Sequence, residues 1–295
     1  MRASVLFEQG KPVQVEELDL EAPREGEALV RMTASGVCHS CLHAADGSWK
    51  GVPVPIVLGD EGAGVVEAVG PGTQDLQVGD HVILSWAPTC GRCHFCVIGR
   101  PNLCERRQPG RGVLPDGTTR MSLRGQPVYH YGHVATYASR TVVAESCAIA
   151  IDTRMPLDRA ALIGCSVMTG VGAVINTAAV PAGASMAVFG VGGVGLNVVQ
   201  GGVMVAEPRG HLRPDRRARH RCHPAAGRPA PGHGRAGCSY GGARTREDLP
   251  RLVALYLAGK LRVDELITQR YGLDEANEAF RALAAGELGR GLIMF

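Results

Sequence analysis

Four cysteines, Cys90, Cys93, Cys96 and Cys104, fall within the stretch TCGRCHFCVIGRPNLCE, spaced Cys-x2-Cys-x2-Cys-x7-Cys. Thiolates at that spacing can close a tetrahedral shell around one Zn²⁺. A four-sulfur shell leaves no open position for water or substrate, so the spacing predicts a structural brace for a loop that lacks its own core. An iron–sulfur cluster also accepts four cysteines and is the second reading of the loop. A disulfide framework fits the rest of the chain less well. The N-terminus, MRASVLFEQGKPVQVEELDL, carries Glu8, Glu16, Glu17 and Asp19, lacks a signal-peptide apolar core, and reads as a strand pair turning at Gly10. No run of 18 apolar residues predicts a membrane span. The expected setting is cytoplasmic, where thiols stay reduced and clustered cysteines hold metal or catalyse.

With 295 residues the chain can fill two domains. Its first half alternates short apolar runs with Gly/Pro turns, as in EALVRMTASG, GAGVVEAVG and GDHVILSW, which predicts a β-rich, barrel-like domain. After Pro156 the texture changes. PLDRAALIGCSVMTGVGAVINTA reads as a buried helix, and ASMAVFGVGGVGLNVVQGG as strand, glycine turn and helix. Leu249, Leu252, Val253 and Tyr256 fall on one helical face. A further helix is expected with Asp274 as cap, Ala276, Phe280 and Leu283 as stripe, and Gly286 at its end. GRGLIMF reads as a closing strand.

The net charge of +3 is unevenly placed: Arg209 to Arg235 holds eight arginines and one acid, Asp215. That tract has no apolar period of 2 or 3.6, so no core face can form in it. A basic tract can bind nucleic acid. Its Arg/Pro/Gly/His bias fits anomalous sequence next to an internal deletion better than a designed binding tail.

The cysteine loop, together with GVCHSCLHAADG, VLGDEGAGVVEAVGPG, IGCSVMTGVGAV and FGVGGVGLNVVQ, resembles the zinc-dependent alcohol dehydrogenases of the medium-chain dehydrogenase/reductase superfamily. The resemblance covers roughly residues 1–202 and 238–295. It implies an α/β fold with a β-rich part: a GroES-like barrel domain over 1–160 with 239–295, and a truncated Rossmann cofactor domain over 161–238, irregular at 209–236. It also implies two Zn²⁺ per chain, NAD(P), and a small-molecule alcohol or aldehyde substrate.

The same resemblance assigns site residues. Cys38 and Cys165 match two ligands of the family's catalytic zinc. The third, a histidine in the family, is Asp60 here. A carboxylate oxygen can ligate Zn²⁺, so an open Cys/Asp/Cys site is expected, with a metal made a weaker Lewis acid by the added negative charge. Cys41 replaces the family's aspartate three residues after the first cysteine. An Asp ligand needs no carboxylate partner and would be repelled by one. The competing reading has Cys41 join the metal and close its shell. Glu61 is expected near the metal as a transient ligand. Ser40 and His43 match the family's proton relay, in which a hydroxyl passes the alcohol proton out of a water-poor pocket to an imidazole. His39 is expected at the cofactor pyrophosphate, and His81 and His94 in structural or solvent-facing places.

VFGVGGVG supplies Gly190, Gly192 and Gly195, with Gly193 and Val194 between, as a phosphate-cradling turn at a helix N-terminus. A full cofactor domain of two βαβαβ halves needs on the order of 130 residues. Far fewer separate Ala182 from Tyr240, and GGVMVAEP resembles the family's last Rossmann strand arriving early. Asp215 has the count for a ribose-binding acid, but Pro214 and the lack of an apolar run make that a coincidence. Poor NAD(P) affinity and a compromised homo-oligomer are therefore expected. The leading reading is an alcohol-oxidising zinc enzyme, with glutathione- or mycothiol-linked aldehyde oxidation inside it. The alternative is a non-catalytic zinc-binding remnant.

Overall fold

The computed structural model describes residues 1–107, 112–205 and 237–295. The basic tract 209–235, the irregular stretch 209–236 and Asp215 lie outside them. Among the described residues the strands are β1 (Arg2–Leu6), β2 (Gln14–Glu17), β3 (Asp19–Leu20), β4 (Glu27–Gly36), β5 (Ile56–Val57), β6 (Glu61–Val69), β7 (His81–Ser85), β8 (Met121–Leu123), β9 (Gln126–His130), β10 (Arg140–Ala144), β11 (Ala148–Ala150), β12 (Ile267–Gly272) and β13 (Arg290–Met294). One sheet runs β2-β1-β5-β9-β8-β3. The other runs β11-β7-β6-β4-β13-β12, with β10 also on β4. The fold is α/β with a β-rich part, as the alternating runs and turns of the first half indicate.

Strand β4 organises the second sheet because it is long enough to serve three neighbours. It pairs with β6 along its length, while β10 pairs Glu27–Arg31 and β13 pairs Ala34–Gly36. The closing segment thus returns to the sheet built by the first half. The β1–β2 pair turns through Gly10, whose φ of +83° suits a residue without Cβ.

Residues Leu157–Thr177 form one helix with π turns at Ile163–Val167 and Ala173–Thr177. It is long and apolar enough to cross a bilayer, but Ala160 to Met168 are buried in the protein's own core, which marks it as a core helix. Helix Thr245–Leu257 buries Leu249, Leu252 and Val253, and helix Ala276–Ala284 buries Ala276, Phe280 and Leu283. Three apolar clusters make up the core, and Trp86 packs against all of them.

Three local expectations are corrected. Asp274 does not cap the helix that follows it; Glu275 reaches back to the Gly272 N–H, and Asp274 pairs with Arg2 at 2.7 Å. GGVMV does not begin a strand. The helix Gly193–Val205 runs through it, because Gly201 brings the helix against Val171, where a Cβ would lie 3.1 Å from Val171 Cα. Finally, ASMAVFG forms no named strand among the described residues. Only Phe189 is bridged, and its side chain is 76% exposed, as befits a segment without a flanking strand to bury it.

A buried ion pair ties the two sheets together. Arg120, 1% exposed, donates from Nε and Nη2 to Glu27 at 2.9 and 2.5 Å, and from Nη2 to Asp116 at 2.5 Å. Burial works against ionisation of Asp116, but Arg120 and the two Thr118 hydrogen bonds together outweigh it and hold that carboxyl at about 2. Replacing Arg120 by Met leaves the Glu27 carboxylate buried and unpaired, an expected loss of ~3–5 kcal/mol. The joint Arg120→Met/Glu27→Leu chain should regain most of it. Urea midpoints of the three chains check this, and equal losses in the single and double variants would refute it.

Beside this pair, His130 is fully buried and accepts from the Arg120 N–H at 3.3 Å. Burial, aided by Arg120 and His133, depresses its pKa to about 3. A free histidine titrates near 6.5, so the unfolded chain binds the extra proton as pH falls below that value, and stability drops. Between pH 6.5 and 5 the parent should lose about 2 kcal/mol more than a His130→Gln chain. Parallel acid dependences in denaturant titrations would rule this out.

Candidate active site

Strand β4 delivers the chain to Cys38, which stands in extended conformation at the head of helix His39–Asp46. Asp60 lies just before β6, and Cys165 lies in the first π turn of the core helix. A π turn widens the helix locally and re-aims its side chains. Ligand atoms of Cys38, Asp60 and Cys165 all lie within 4.8 Å of one another, in the core between the sheets and the helix. Two thiols and a carboxylate at that separation suit one tetrahedral cation and leave a fourth position open.

Hydrogen bonds set the charge at this cluster. Cys165 donates to Cys38, which holds the Cys38 thiol well below its usual range and pushes Cys165 well above it, so Cys38 is the readier thiolate. Burial lifts the Asp60 carboxyl to about 7, helped by the Cys38 charge and opposed by Ser40, Cys41 and Arg290. Ser40 Oγ donates to Asp60 Oδ2 at 2.5 Å, and Cys41 Sγ to Oδ1 at 3.5 Å. Cys41 is not among the three clustered donors, and burial raises its thiol. Tyr131 fixes the turn by donating to the Ser40 carbonyl at 3.0 Å.

His43 lies along the same helix, with its side chain 40% exposed. Its Nδ1 has no hydrogen-bond partner among the described residues, and its ring stands 6.1 Å from that of His39 and 5.9 Å from Trp49. Ser40 reaches the cluster directly through Asp60, whereas His43 lies 3.9 Å from the Asp46 carboxylate. Glu61 is buried beside Asp60 but is held elsewhere: Ser166 donates from N and Oγ at 3.0 and 2.7 Å, and Arg290 forms an ion pair with it.

The glycine turn adjoins this pair. Gly190 has φ +87°, and a Cβ on Gly195 would lie 1.8 Å from the Gly190 carbonyl oxygen, so both must be glycine. Gly192 accepts from the Leu196 N–H, Gly193 opens the helix directly over the Arg290 side chain, and Val194 is exposed. Arg290 Nε is buried without a partner among the described residues. The sequence signals pointed to neither Arg290 nor Ser166. A lone cation in the apolar closing strand RGLIMF was the available clue.

Cys90, Cys93, Cys96 and Cys104 also converge within 4.8 Å, with Cys93 and Cys104 sulfurs 3.9 Å apart. Helix His94–Val97 and the turn Pro101–Leu103 space them. The Arg92 backbone N–H brings Cys90 down to about 6, and that of Cys96 lowers Cys93, while burial raises Cys96 to about 12. Backbone donors aimed at sulfur favour thiolates, the form a metal binds.

Residues 24–156 match the family model of the alcohol dehydrogenase GroES-like domain. The chain is 34% identical to an alcohol dehydrogenase class-3 of Cereibacter sphaeroides, covering 100% of the chain and 99% of the relative. That alignment runs over 373 positions, 78 more than the chain has residues. An S-(hydroxymethyl)glutathione dehydrogenase of Synechocystis sp. is 48% identical over 202 residues, 68% of this chain and 55% of that one. Among solved structures, an alcohol dehydrogenase zinc-binding domain protein from Burkholderia ambifaria superposes with TM-score 0.88 at 28% identity, covering 100% of this chain and 98% of that one.

Proposed function

The chain belongs to the zinc-dependent alcohol dehydrogenase family of the medium-chain superfamily, and on that premise we propose that Cys38, Asp60 and Cys165 hold the metal at which a small alcohol or aldehyde exchanges hydride with NAD(P). The observation that carries this reading is the convergence of three donors beside Ser40 with one coordination position left open. Zinc there supplies Lewis acidity towards an alcohol oxygen, tempered by the carboxylate ligand. With the metal held by Asp60, the Ser40 hydroxyl would be free to accept the alcohol proton while giving up its own towards His43, further along the helix. Arg290 pins Glu61 away from the three donors, so Glu61 acts first as a buried counter-charge and reaches the metal only if that pair opens. The second metal belongs to the four-cysteine loop, giving two per chain.

The glycine turn fits a pyrophosphate, and the orphan Arg290 N–H beside it is a donor that a phosphate would satisfy. His39, exposed at the head of its helix, is assigned to the same cofactor by the family resemblance. The 78 excess positions fit an internal deletion in the cofactor half, 161–238. A weakened cofactor site and a compromised homo-oligomer follow from it. The relatives' names make S-(hydroxymethyl)glutathione the first substrate to try, followed by simple alcohols. NADH formation by the zinc-loaded chain, followed by its absorbance, tests the proposal. No turnover of any of them with both metals bound would favour the non-catalytic remnant.

A further inference from the structure

Tyr240 adopts a backbone φ of +55°, rare for an aromatic residue, and is 2% exposed. Its surroundings explain why it is held there. The hydroxyl donates to the carbonyl of Gly164, the residue before Cys165, and lies 3.3 Å from Ser85 Oγ. Its ring stacks on Trp86 at 4.5 Å. The Arg107 guanidinium also sits over Trp86, 4.7 Å from the ring centroid. Arg107 follows the last cysteine of the four-cysteine loop, bonding from its backbone N–H to Cys104 O and from Nη1 to Asn102 O. Asn102 in turn donates to the Ser239 carbonyl at 2.9 Å, next to Tyr240. Trp86 and Asp60 both pack on Gly132, where a Cβ would stand 3.1 Å from Trp86 Cβ and 3.3 Å from Asp60 Cβ.

We propose that Tyr240 is a positioning residue that ties the four-cysteine loop to the three-donor site, through Arg107 and Trp86 on one side and the Gly164 carbonyl on the other. The inference rests on the two-metal reading above. The loop's contribution then goes beyond local bracing, because it fixes the π turn that aims Cys165. Removing one hydroxyl far from the substrate should loosen a metal it never touches.

The test uses the full chain with zinc in the loop and Co²⁺ at the three-donor site. The visible cobalt bands and metal affinity by chelator competition are read separately for each site. Tyr240→Phe keeps the stacked ring and removes only the hydroxyl. It should weaken the three-donor site about tenfold and shift its cobalt bands, with the loop affinity unchanged. Arg107→Met, which cuts the chain at its other end, should do the same, and the double variant should be no weaker than the weaker single. Unchanged bands and affinity in Tyr240→Phe, or losses that multiply in the double variant, overturn the linkage. A parent chain that binds only one metal overturns the two-site reading and the linkage with it.

Discussion

Asp60→Ala should strip one metal ion per chain and lower alcohol turnover by about a thousandfold or more, since Lewis-acid stabilisation of several kcal/mol is lost. The reason lies in the donor set. Cys38 and Cys165 alone offer two ligands, and two thiolates do not make the three-ligand frame of an open zinc site. The change also leaves the Ser40 hydroxyl and the Cys41 thiol without the carboxylate they share. Asp60→Asn separates ligation from charge: it keeps an oxygen but removes the anion, so it should bind metal more weakly than the parent and more tightly than Asp60→Ala. Metal analysis and initial rates on the three chains decide the matter. Retention of both metals by Asp60→Ala would place the second ion elsewhere.

The second large effect concerns the loop. Cys104→Ser should remove the other metal and open residues 90–104 to proteolysis after Arg92, while the two sheets keep their structure. None of those residues belongs to the three apolar clusters, and Val97 and Ile98 point to solvent at 71% and 50% exposure. With so little apolar burial, metal binding supplies the folding free energy of the loop, on the order of 10 kcal/mol for comparable structural sites. Limited trypsin digestion with mass spectrometry checks the cut site. A Cys104→Ser loop as resistant as the parent's would show that packing, not metal, holds it.

Much of the site was legible in the sequence, because metal ligation constrains residue type and spacing together. The four-cysteine spacing alone indicates a closed shell. Cys38, Asp60 and Cys165 are far apart in sequence and were found through the resemblance, and the structure brings their ligand atoms together. The buried helix with Cys165 showed in its apolar run, although its π turns have no signature in composition. What stayed hidden depends on tertiary contact. Arg290 and Glu61 pair across 229 residues, and Tyr240 reaches Gly164 across 76. No local pattern announces such partners. GGVMV misled for a related reason: its residues suit a strand as well as a helix, and the crossing at Val171 decides for helix.

The most direct measurement is a calorimetric titration of the two-zinc chain with NADH, which requires no knowledge of the substrate. The expected result is one NADH per chain, bound with the reduced affinity that the shortened cofactor half implies, and weakened a further severalfold or more in a Gly195→Val chain. No heat of binding while both zinc ions remain would contradict the account, leaving a folded metal-binding protein without a hydride acceptor.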